Sequence, residues 1–500
     1  MNHLDAMQRS SLPLLVMAGT LVRFAFGSSH ELWNSAPDQL AWGLALEDLV
    51  NGGTFAYKQL IHYPHEGGSS FLGLLAFLFV PLSGIMPPLS WAALLVDTLV
   101  RIIQINVAHR LFGARTAMWF AVWTVFAAPL MLPWSIIDFG LHALMSFAPF
   151  VLIAFAMRKD RSRFVLGLFC GALASLAYDV WIFAPAWIIF ELFSKDRLNV
   201  RMKRIVMFGL GAVLAFLPHL FIRTFIDHGF ALEELSVLSV RGLEKEGIDL
   251  STWPGKTWAV LTAALPGSFA LLRMDQWLPR LLATGVLALI VLGVSLAWRI
   301  KDERSPALHL MILTVLVFLL ALIIGPFFEP RADGNGYLYY RYFPFIAPLL
   351  VLLIIEGSGE LPRYGNKVRT AWIVGCLGAS LVHMYRTPHY ASPNDEATGW
   401  VLGRKFGDDP ERLRRIIDGA GPVRHDPLVK GAAWGFTAAL FDRRSTADTT
   451  ALQEFERIWH QLPDTDHALL RQGVHRAFDP GVTPVLDPGL AAQVFALSDE

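Results

Sequence analysis

The sequence predicts an all-α polytopic membrane protein with about 11 transmembrane helices, two interfacial helical segments and a small external C-terminal helical domain. Composition is the first observation. Of the 500 residues, 54% are hydrophobic and only 17% are charged, and the mean hydropathy is +0.45, which excludes an ordinary soluble globular protein. Second, apolar stretches long enough to cross about 30 Å of hydrocarbon recur along residues 1–386. Third, apolar runs shorten after residue 386, and charges, Pro and Gly become frequent.

Eleven apolar stretches are predicted to span the membrane. The first has no small-residue cleavage pattern behind it, so we interpret it as a retained signal-anchor helix. In chain order, the predicted spans are 11–28, 88–108, 115–133, 135–157, 163–177, 179–193, 204–223, 280–298, 306–328, 338–356 and 370–386. Two further apolar segments, 69–84 and 257–272, are ambiguous and need another argument.

The basic residues supply that argument, because cytoplasmic loops are enriched in Lys and Arg. Five basic loops are predicted to be cytoplasmic, at 110–115, 158–163, 195–204, 299–304 and 363–369. With a cytoplasmic N-terminus, the eleven crossings put all five basic loops on the cytoplasmic side only if neither ambiguous segment crosses the membrane. Both segments are therefore predicted to lie at the outer interface. We therefore expect a bacterial inner membrane protein whose outer, periplasmic parts are 29–87, 224–279, 329–337 and everything after 386.

Residues 387–500 are predicted to form a separate soluble helical domain on the outer face. The segments 410–418, 451–461 and 466–477 have helical spacing. Prolines, among them Pro463 and Pro480, break the chain between or after these segments.

Charge and cysteine content narrow the function classes. Lys and Arg together number 42, as do Asp and Glu, and no basic tract is interleaved with aromatics, so we exclude nucleic acid as a partner. Cys170 and Cys376 both fall in apolar spans, which favours buried small hydrophobes over a disulfide or a metal site.

Asp38 is the leading candidate for a catalytic residue. It follows Pro37 in the first outer loop, just beyond a predicted span, where a carboxylate beside lipid is costly. It begins an amphipathic helix with Leu40 and Leu44 on one face, and the dipole of such a helix favours a carboxylate at its N-terminus. An ordinary N-cap is an equally good interpretation, and both can hold at once.

Two clusters on the outer side are candidates for substrate binding. Lys58, His65 and Glu66 form a polar rim suited to an anionic head group, with an open metal site as the alternative. Asp138 and His142 lie one turn apart at the outer end of the span 135–157. Asp138 has two interpretations: a carboxylate that faces a cavity, or an ordinary charge at the start of a helix.

Further candidates carry positive charge. Tyr340 and Arg341 lie near the outer end of the span 338–356, and the planar guanidinium of Arg binds phosphate well. The alternative is an aromatic belt with an Arg that reaches the interface. His219 at the end of the span 204–223 adds positive charge on the same side when protonated. Asp97 and Arg101 lie four apart inside a span, a pair that we expect to neutralise itself.

The order of motifs resembles a known class. A signal-anchor helix is followed by Trp-x-x-x-Pro-Asp at 33–38, a helix ending in Gly-Gly at 52–53 and a Leu-Phe-Gly-x-Arg turn at 111–115. Ile-Asp at 137–138, glycines at 167 and 171, Ala-Tyr-Asp at 177–179 and Tyr-Arg-Tyr-Phe-Pro at 340–344 follow. This order resembles the GT-C membrane glycosyltransferases, most closely the protein-mannosyltransferase and aminoarabinose-transferase group. The resemblance is good over residues 1–225 and only architectural beyond them.

The resemblance implies an inverting transfer of a sugar from a polyprenyl-phosphate carrier to a glycan, lipid or protein acceptor on the outer side of the membrane. The catalytic base of the class maps onto Asp38, and Asp138 maps onto an acidic residue that lines the same cavity. The lipid-linked sugar is then the donor substrate, either without a cofactor or with a divalent metal ion. The chain departs from the class at Gln39, in place of a second carboxylate, and at Asp179, where many members have a Lys.

Other interpretations stay open. One is a polytopic protein that polymerises or flips lipid-linked glycans, another is a transporter, and a third is a non-catalytic scaffold. A polymerase is expected to have Arg-rich outer loops, and a transporter to have broken helices with an inverted repeat. The single carboxylate loop and the lack of an internal repeat favour the transferase over these two.

Overall fold

Every regular element among the described residues of the computed structural model is helical. The structure describes residues 3–29, 71–82, 88–126, 131, 143–158, 162–225, 253–261, 265, 269, 277–324, 343–361, 363–386, 395–407, 409–419, 422–442, 449–478 and 488–499. For these residues, the prediction of an all-α protein is confirmed. They fall into two compact units, the first with residues 3–27 and the described residues from 71 to Met384, the second with Ser28, Ser29 and the described residues from Tyr385 onward.

The first unit contains helices of very different lengths. They are α1 (His3–Ser29), α2 (Phe71–Phe77), α3 (Pro88–Phe112), α4 (Ala114–Phe126), α5 (Phe147–Ala156), α6 (Arg163–Ala174), α7 (Phe183–Leu192), α8 (Leu198–Phe225), α9 (Trp253–Ala259), α10 (Trp277–Arg299), α11 (Ser305–Ile324), α12 (Ala347–Gly359) and α13 (Gly365–Arg386). Short 3₁₀ turns at Leu144–Ser146, Tyr178–Ile182 and Phe343–Phe345 lie before α5, α7 and α12.

Three of the described helices are long and apolar enough to cross a membrane: α3, the Leu198–Phe221 part of α8, and α11. Shorter apolar helical stretches lie at Ser11–Ala25, Leu144–Ala156, Arg163–Ala174, Thr284–Arg299 and Ala347–Gly359. These helices indicate a membrane protein, but with fewer full-length spans among the described residues than the eleven predicted. The predicted span 163–177, for example, is represented by α6, whose 12 residues extend only about 18 Å.

Helix α6 is short because the backbone turns after Ala174. Ser175 ends the helix, and Ala177 is extended, with φ −153° and ψ 130°. The chain then enters the 3₁₀ turn that begins at Tyr178. Apolar composition continues through this turn, so hydropathy alone overestimates the length of the helix.

Glycines bring α6 and α8 into backbone contact. A Cβ added at Gly167 would lie 2.0 Å from the carbonyl oxygen of Phe208, and one added at Gly171 would lie 2.1 Å from that of Ala212. A Cβ on Gly211 of α8 would meet the backbone of α6 equally closely. Small residues allow such close approach, which is the usual way in which membrane helices associate.

The helices α6 and α8 run in the same direction, and α7, which lies between them in the chain, runs in the opposite direction. At one end, Arg204 near the start of α8 contacts Glu191 at the end of α7, with 2.7 Å between Nη1 and Oε1. At the other end, Tyr178 after α6 contacts His219 of α8. This part of the bundle therefore has one end with an ion pair and one end with an aromatic and imidazole pair.

Basic loops meet around the carboxylate of Glu356 near the end of α12. Thr116 of α4 donates a hydrogen bond to this carboxylate, and Arg304 before α11 donates another, with 2.5 Å between Nη1 and Oε2. Arg115 donates to Asn366 of α13, with 2.8 Å between the atoms. Three of the loops that the sequence predicts on one side of the membrane are thus brought together.

The second unit is a helical bundle. Its helices are α14 (Asp395–Phe406), α15 (Pro410–Gly419), α16 (Pro422–Asp442), α17 (Thr449–Gln461), α18 (His467–Ala477) and α19 (Pro488–Asp499). The segments with predicted helical spacing, 410–418, 451–461 and 466–477, correspond to α15, α17 and α18 with the 3₁₀ turn Asp464–Asp466. Leu428, Phe455 and Val474 are fully buried in its core.

Glycines also set the spacing of α14 and α16. A Cβ at Gly403 would lie 2.0 Å from the carbonyl oxygen of Ala432, and one at Gly435 would lie 1.9 Å from that of Trp400. Arg404 lies over the Trp400 ring at 5.0 Å from its centroid. The close approach of α14 and α16 therefore depends on small residues on both helices.

Candidate functional site

The residues that the sequence singles out for catalysis and substrate binding lie outside the described residues. They are Asp38, Lys58, His65, Glu66, Asp138, His142, Tyr340 and Arg341. Their roles stay predictions. Two other polar residues that the sequence places on the outer side, Asp179 and His219, are described, and they lead to a site at the shared end of α6 and α8.

Tyr178 and His219 form a hydrogen-bonded pair at this end. The distance from Tyr178 Oη to His219 Nε2 is 2.9 Å. His219 is only 8% exposed, whereas Tyr178 is half-buried. Phenol and imidazole can each donate and accept, so the pair can pass a proton or, with the imidazole donating to the phenol oxygen, direct the phenol O–H to an acceptor.

The ring of Phe216 packs against both members of the pair, and the ring of Trp181 packs against Phe216. The ring centroid of Phe216 lies 5.0 Å from that of His219 and 5.1 Å from that of Trp181. The Trp181 and Phe216 rings meet at 80°, an edge-to-face arrangement that aromatic rings favour. We call Tyr178, Trp181, Phe216 and His219 the Tyr178 cluster. It combines apolar rings with a hydrogen-bonded polar pair.

Local sequence explains why the cluster forms here. The extended backbone at Ala177 turns Tyr178 away from the axis of α6 and starts the 3₁₀ turn, whose first turn contains Asp179. In α8, Pro218 removes an amide donor one residue before His219, which weakens the helical bonding at this point. Asp179 is half-buried next to the pair in sequence, and it brings a carboxylate rather than a cation to this end of the bundle.

A second polar group is buried between α1, α3 and α4. The carboxylate Oδ2 of Asp97 lies 2.8 Å from Arg101 Nε and 2.9 Å from Arg23 Nε. Arg23 and Arg101 are each 2% exposed, and Asp97 is 6% exposed. The predicted pair of Asp97 and Arg101 therefore forms, but it is part of a group with two cations.

Backbone and hydroxyl oxygens offset the additional positive charge. Arg23 donates to the carbonyl oxygens of Thr124 and Val125 in the last turn of α4, at 3.1 and 3.2 Å. A helix C-terminus carries partial negative charge, so a cation is stabilised there. Arg101 donates to the carbonyl oxygen of Val16 at 3.0 Å and to the hydroxyl of Thr20 at 2.8 Å. These bonds fix α1 against both neighbouring helices.

Sequence reasoning missed Arg23, although a signal was present. An Arg inside a predicted apolar span needs a partner, because a charge in hydrocarbon is costly. Its partner Asp97 lies 74 residues away along the chain, so spacing within one helix does not reveal the contact.

The described residues offer no cluster of three His, Cys, Asp or Glu side chains that could bind a metal ion. Cys170 and Cys376 are free thiols, both buried.

No protein-family model matches the sequence, and no curated protein is similar to it in sequence. Among solved structures, the chain is similar to the apo oligosaccharyltransferase of Archaeoglobus fulgidus, with a TM-score of 0.45 and 13% identity over 83% of this chain and 60% of that one. The archaeal oligosaccharyltransferase AglB in complex with an inhibitory peptide and a dolichol-phosphate gives a TM-score of 0.44 and 13% identity, with the same coverage of 83% and 60%. This chain therefore spans less than two thirds of the archaeal chains. ArnT from Cupriavidus metallidurans bound to undecaprenyl phosphate gives a TM-score of 0.40 and 13% identity over 92% of this chain and 94% of that one.

Proposed function

We propose that this protein is a GT-C-like membrane glycosyltransferase that moves a sugar from a polyprenyl-phosphate carrier to an acceptor on the outer face of the membrane. One observation carries the proposal: the Trp-x-x-x-Pro-Asp loop at 33–38, which follows α1 directly and precedes an amphipathic sequence ending in Gly-Gly. A carboxylate at such a position, between lipid and water, fits a base that acts on an amphiphilic substrate.

In the proposed reaction, Asp38 accepts the proton of an acceptor hydroxyl. The hydroxyl oxygen attacks the anomeric carbon while the bond from that carbon to the phosphate oxygen breaks, so the polyprenyl phosphate leaves with the bonding electrons. A single displacement of this kind inverts the anomeric centre. Lys58 and Arg341 stabilise the departing phosphate, because fixed cations act most strongly where charge develops. The remaining predicted residues, His65, Glu66, Asp138, His142 and Tyr340, line the substrate path.

The helix from which this loop continues, α1, is held by buried polar contacts. Arg23 and Arg101 bind α1 to α3 and α4 through buried bonds, and the loop with Asp38 begins shortly after α1 ends at Ser29. A catalytic group is effective only when rigid elements support it. The buried ion group provides such support on the side of α1 from which the loop continues.

The Tyr178 cluster has a role in the same proposal. It lies at the end of α6 and α8 opposite the ion pair of Glu191 and Arg204. Under the predicted topology, this is the outer end. We assign it to the lipid-linked donor: the phenol of Tyr178 donates to a phosphate or sugar oxygen, and the imidazole of His219 can donate a hydrogen bond to the phosphate, which the Asp179 carboxylate cannot do.

The proposal is tested by measuring sugar transfer from a labelled polyprenyl-phosphate donor in membranes that contain wild type or Asp38→Asn at matched expression. Asp48→Asn, the same change of charge in the same loop, is the control. Transfer by wild type and by the control, with a loss of about 10² to 10⁴-fold in Asp38→Asn, is expected for a positioned base. Equal transfer by all three proteins would remove Asp38 from its role, and no transfer by wild type would favour a scaffold or a transporter.

A further inference from the structure

Helix α8 presents a continuous apolar face in the described part of the first unit. Leu198 at its start is 60% exposed and Phe221 near its end is 59% exposed. Between them, exposed apolar side chains recur at intervals of three or four residues: Met202, Val206, Leu210, Leu214 and Leu217. At 1.5 Å per residue, this α8 stripe is about 35 Å long. Its length matches the hydrocarbon thickness of a bilayer, about 30 Å, with a small excess.

Three cations lie at the Leu198 end of the stripe. Lys195, Arg197 and Lys203 are all exposed. In the part of the chain that the structure describes, no ion pair joins any of these side chains to a carboxylate. The carboxylate of Asp196 in the same turn is bound by Arg204, with 2.6 Å between Oδ2 and Nη1, and is therefore not available to neutralise them.

The turn itself is held in place. Arg204 also binds the buried carboxylate of Glu191 at 2.7 Å, and Arg201 donates to the carbonyl oxygen of Leu192. On this turn, the ring of Phe193 is 84% exposed. A large apolar ring beside cations is typical of a segment that lies at the interface between head groups and acyl chains.

We propose that this face of α8 binds an anionic phospholipid. An acyl chain lies along the α8 stripe, and the phosphate lies among Lys195, Arg197 and Lys203. Charge selects the lipid class, because each Lys or Arg near a membrane surface favours anionic over neutral lipid. The apolar stripe and Phe193 select a lipid over free phosphate, which would leave both uncovered.

A second copy of the chain fits this face less well. Two copies inserted with the same orientation in a membrane would bring their α8 stripes together with both basic ends on one side. The cations of the two turns would then repel each other, since like charges placed opposite one another weaken association. An anionic lipid removes this repulsion and covers the same apolar surface.

The test compares lipid retention by the full-length protein in detergent, using native mass spectrometry with added phosphatidylglycerol or phosphatidylcholine of the same acyl chains. The variant Arg197→Gln/Lys203→Gln removes two cations of the site. Arg299→Gln/Lys301→Gln removes two exposed cations from another basic loop and serves as the matched control. Wild type and control should prefer phosphatidylglycerol, and the site variant should bind it about 25-fold more weakly, at about fivefold for each cation removed.

Leu198→Gln/Met202→Gln provides a second variant, which keeps every charge. It should reduce phosphatidylglycerol retention while leaving the melting temperature near that of wild type, because both side chains are exposed. An unchanged lipid preference in Arg197→Gln/Lys203→Gln, or an equal loss in site variant and control, would overturn the proposal. Displacement of phosphatidylglycerol by millimolar inorganic phosphate would identify a free anion site instead, and a stable dimer with the stripe protected would assign the face to a second copy.

Discussion

Arg23 and Arg101 share one carboxylate oxygen of Asp97, at 2.9 and 2.8 Å, in the buried contact between α1 and α3. The group therefore carries one more positive than negative charge away from water. The loss of Arg23 and the loss of the Asp97 carboxylate therefore leave different charges in this buried contact. Without Arg23, Asp97 and Arg101 remain as a neutral pair, whereas without the Asp97 carboxylate two cations remain without a counter-ion.

Asp97→Asn should therefore destabilise the protein more than Arg23→Met does. Breaking a buried pair by removing one partner costs about 3 to 5 kcal/mol, and here two cations lose their partner. Arg23→Met loses the bonds to the carbonyl oxygens at the end of α4 but keeps the apolar part of the side chain. Thermal unfolding of the two purified variants in one detergent checks this order. A lower melting temperature for Arg23→Met than for Asp97→Asn would contradict it.

The contact of α6 with α8 gives a prediction with a matched control on one helix. An added Cβ at Gly211 would lie 2.1 Å from the carbonyl oxygen of Phe164, whereas nothing lies within 4 Å of the same position on Gly209. Gly211→Ala should cost about 1 to 3 kcal/mol through overpacking. Gly209→Ala should be neutral or stabilise α8 by up to about 1 kcal/mol, because Ala has the higher helix propensity. Similar unfolding curves for both variants would show that the helices are not in backbone contact.

These contacts show which features could be predicted from the sequence. Asp97 and Arg101 were predicted as a pair because a spacing of four residues on one helix is a local relationship. Gly167 and Gly171 were noted in the sequence for their place in a motif, but their partners Phe208 and Ala212 belong to a helix about 40 residues later. Such partners depend on how helices pack, which hydropathy does not encode.

The ends of the helices were the least predictable part of the fold. Hydropathy continues from Leu166 through Ala177 without interruption, yet the helix ends at Ala174. The turn depends on backbone angles at Ala177 and on the packing of Tyr178 against α8, both of which arise only in the folded chain. The candidate site was therefore predicted as a set of outer-side residues, of which Asp179 and His219 are described, but the pairing of Tyr178 with His219 was not predicted.

The ion pair of Arg304 with Glu356 should contribute more to stability than the pair of Arg304 with Asp302. Glu356 is 2% exposed, and Arg304→Gln removes the ion pair that its carboxylate makes among the described residues while the hydrogen bond from Thr116 stays, so we expect a cost of about 3 kcal/mol. The side chain of Asp302 is 47% exposed, so Asp302→Asn should cost less than about 1 kcal/mol. Denaturant titration of both variants at neutral pH measures the difference.

Acid should affect the exposed pair in a defined range. Hydrogen bonds from the Arg304 side chain hold the pKa of Asp302 below its ordinary value of 3.8. A lowered pKa in the folded state gives stability that is present above pH 3.8 and is lost as the pH falls through the folded pKa. Wild type and Asp302→Asn should therefore differ slightly at neutral pH and converge as the pH falls below 3.8. A difference that grows on acidification would contradict this sign.

Tyr178 and His219 should behave as a coupled pair. Tyr178→Phe and His219→Ala each remove the bond of 2.9 Å, so the double variant should lose less stability than the sum of the two single variants. The coupling expected for one hydrogen bond is about 0.5 to 1.5 kcal/mol. If the pair also contacts the donor, sugar transfer should fall by a similar factor in each single variant, with KM for the lipid-linked donor raised. Additive stability losses would show that the pair makes no direct contact.

Deletion of residues 387–500 tests what the second unit contributes. The described residues from Tyr385 onward form a compact unit with its own buried core, so the first unit should keep its helices when they are removed. Appended domains commonly carry specificity, and under the proposed function we expect the deletion to change acceptor choice while transfer from the polyprenyl-phosphate donor to water is retained. Donor hydrolysis and transfer to a panel of glycan, lipid and peptide acceptors are measured in parallel for the full chain and the deletion. Unchanged acceptor choice in the deletion would assign acceptor recognition to the membrane unit. Loss of both donor hydrolysis and transfer to acceptors would make the second unit part of the catalytic machinery.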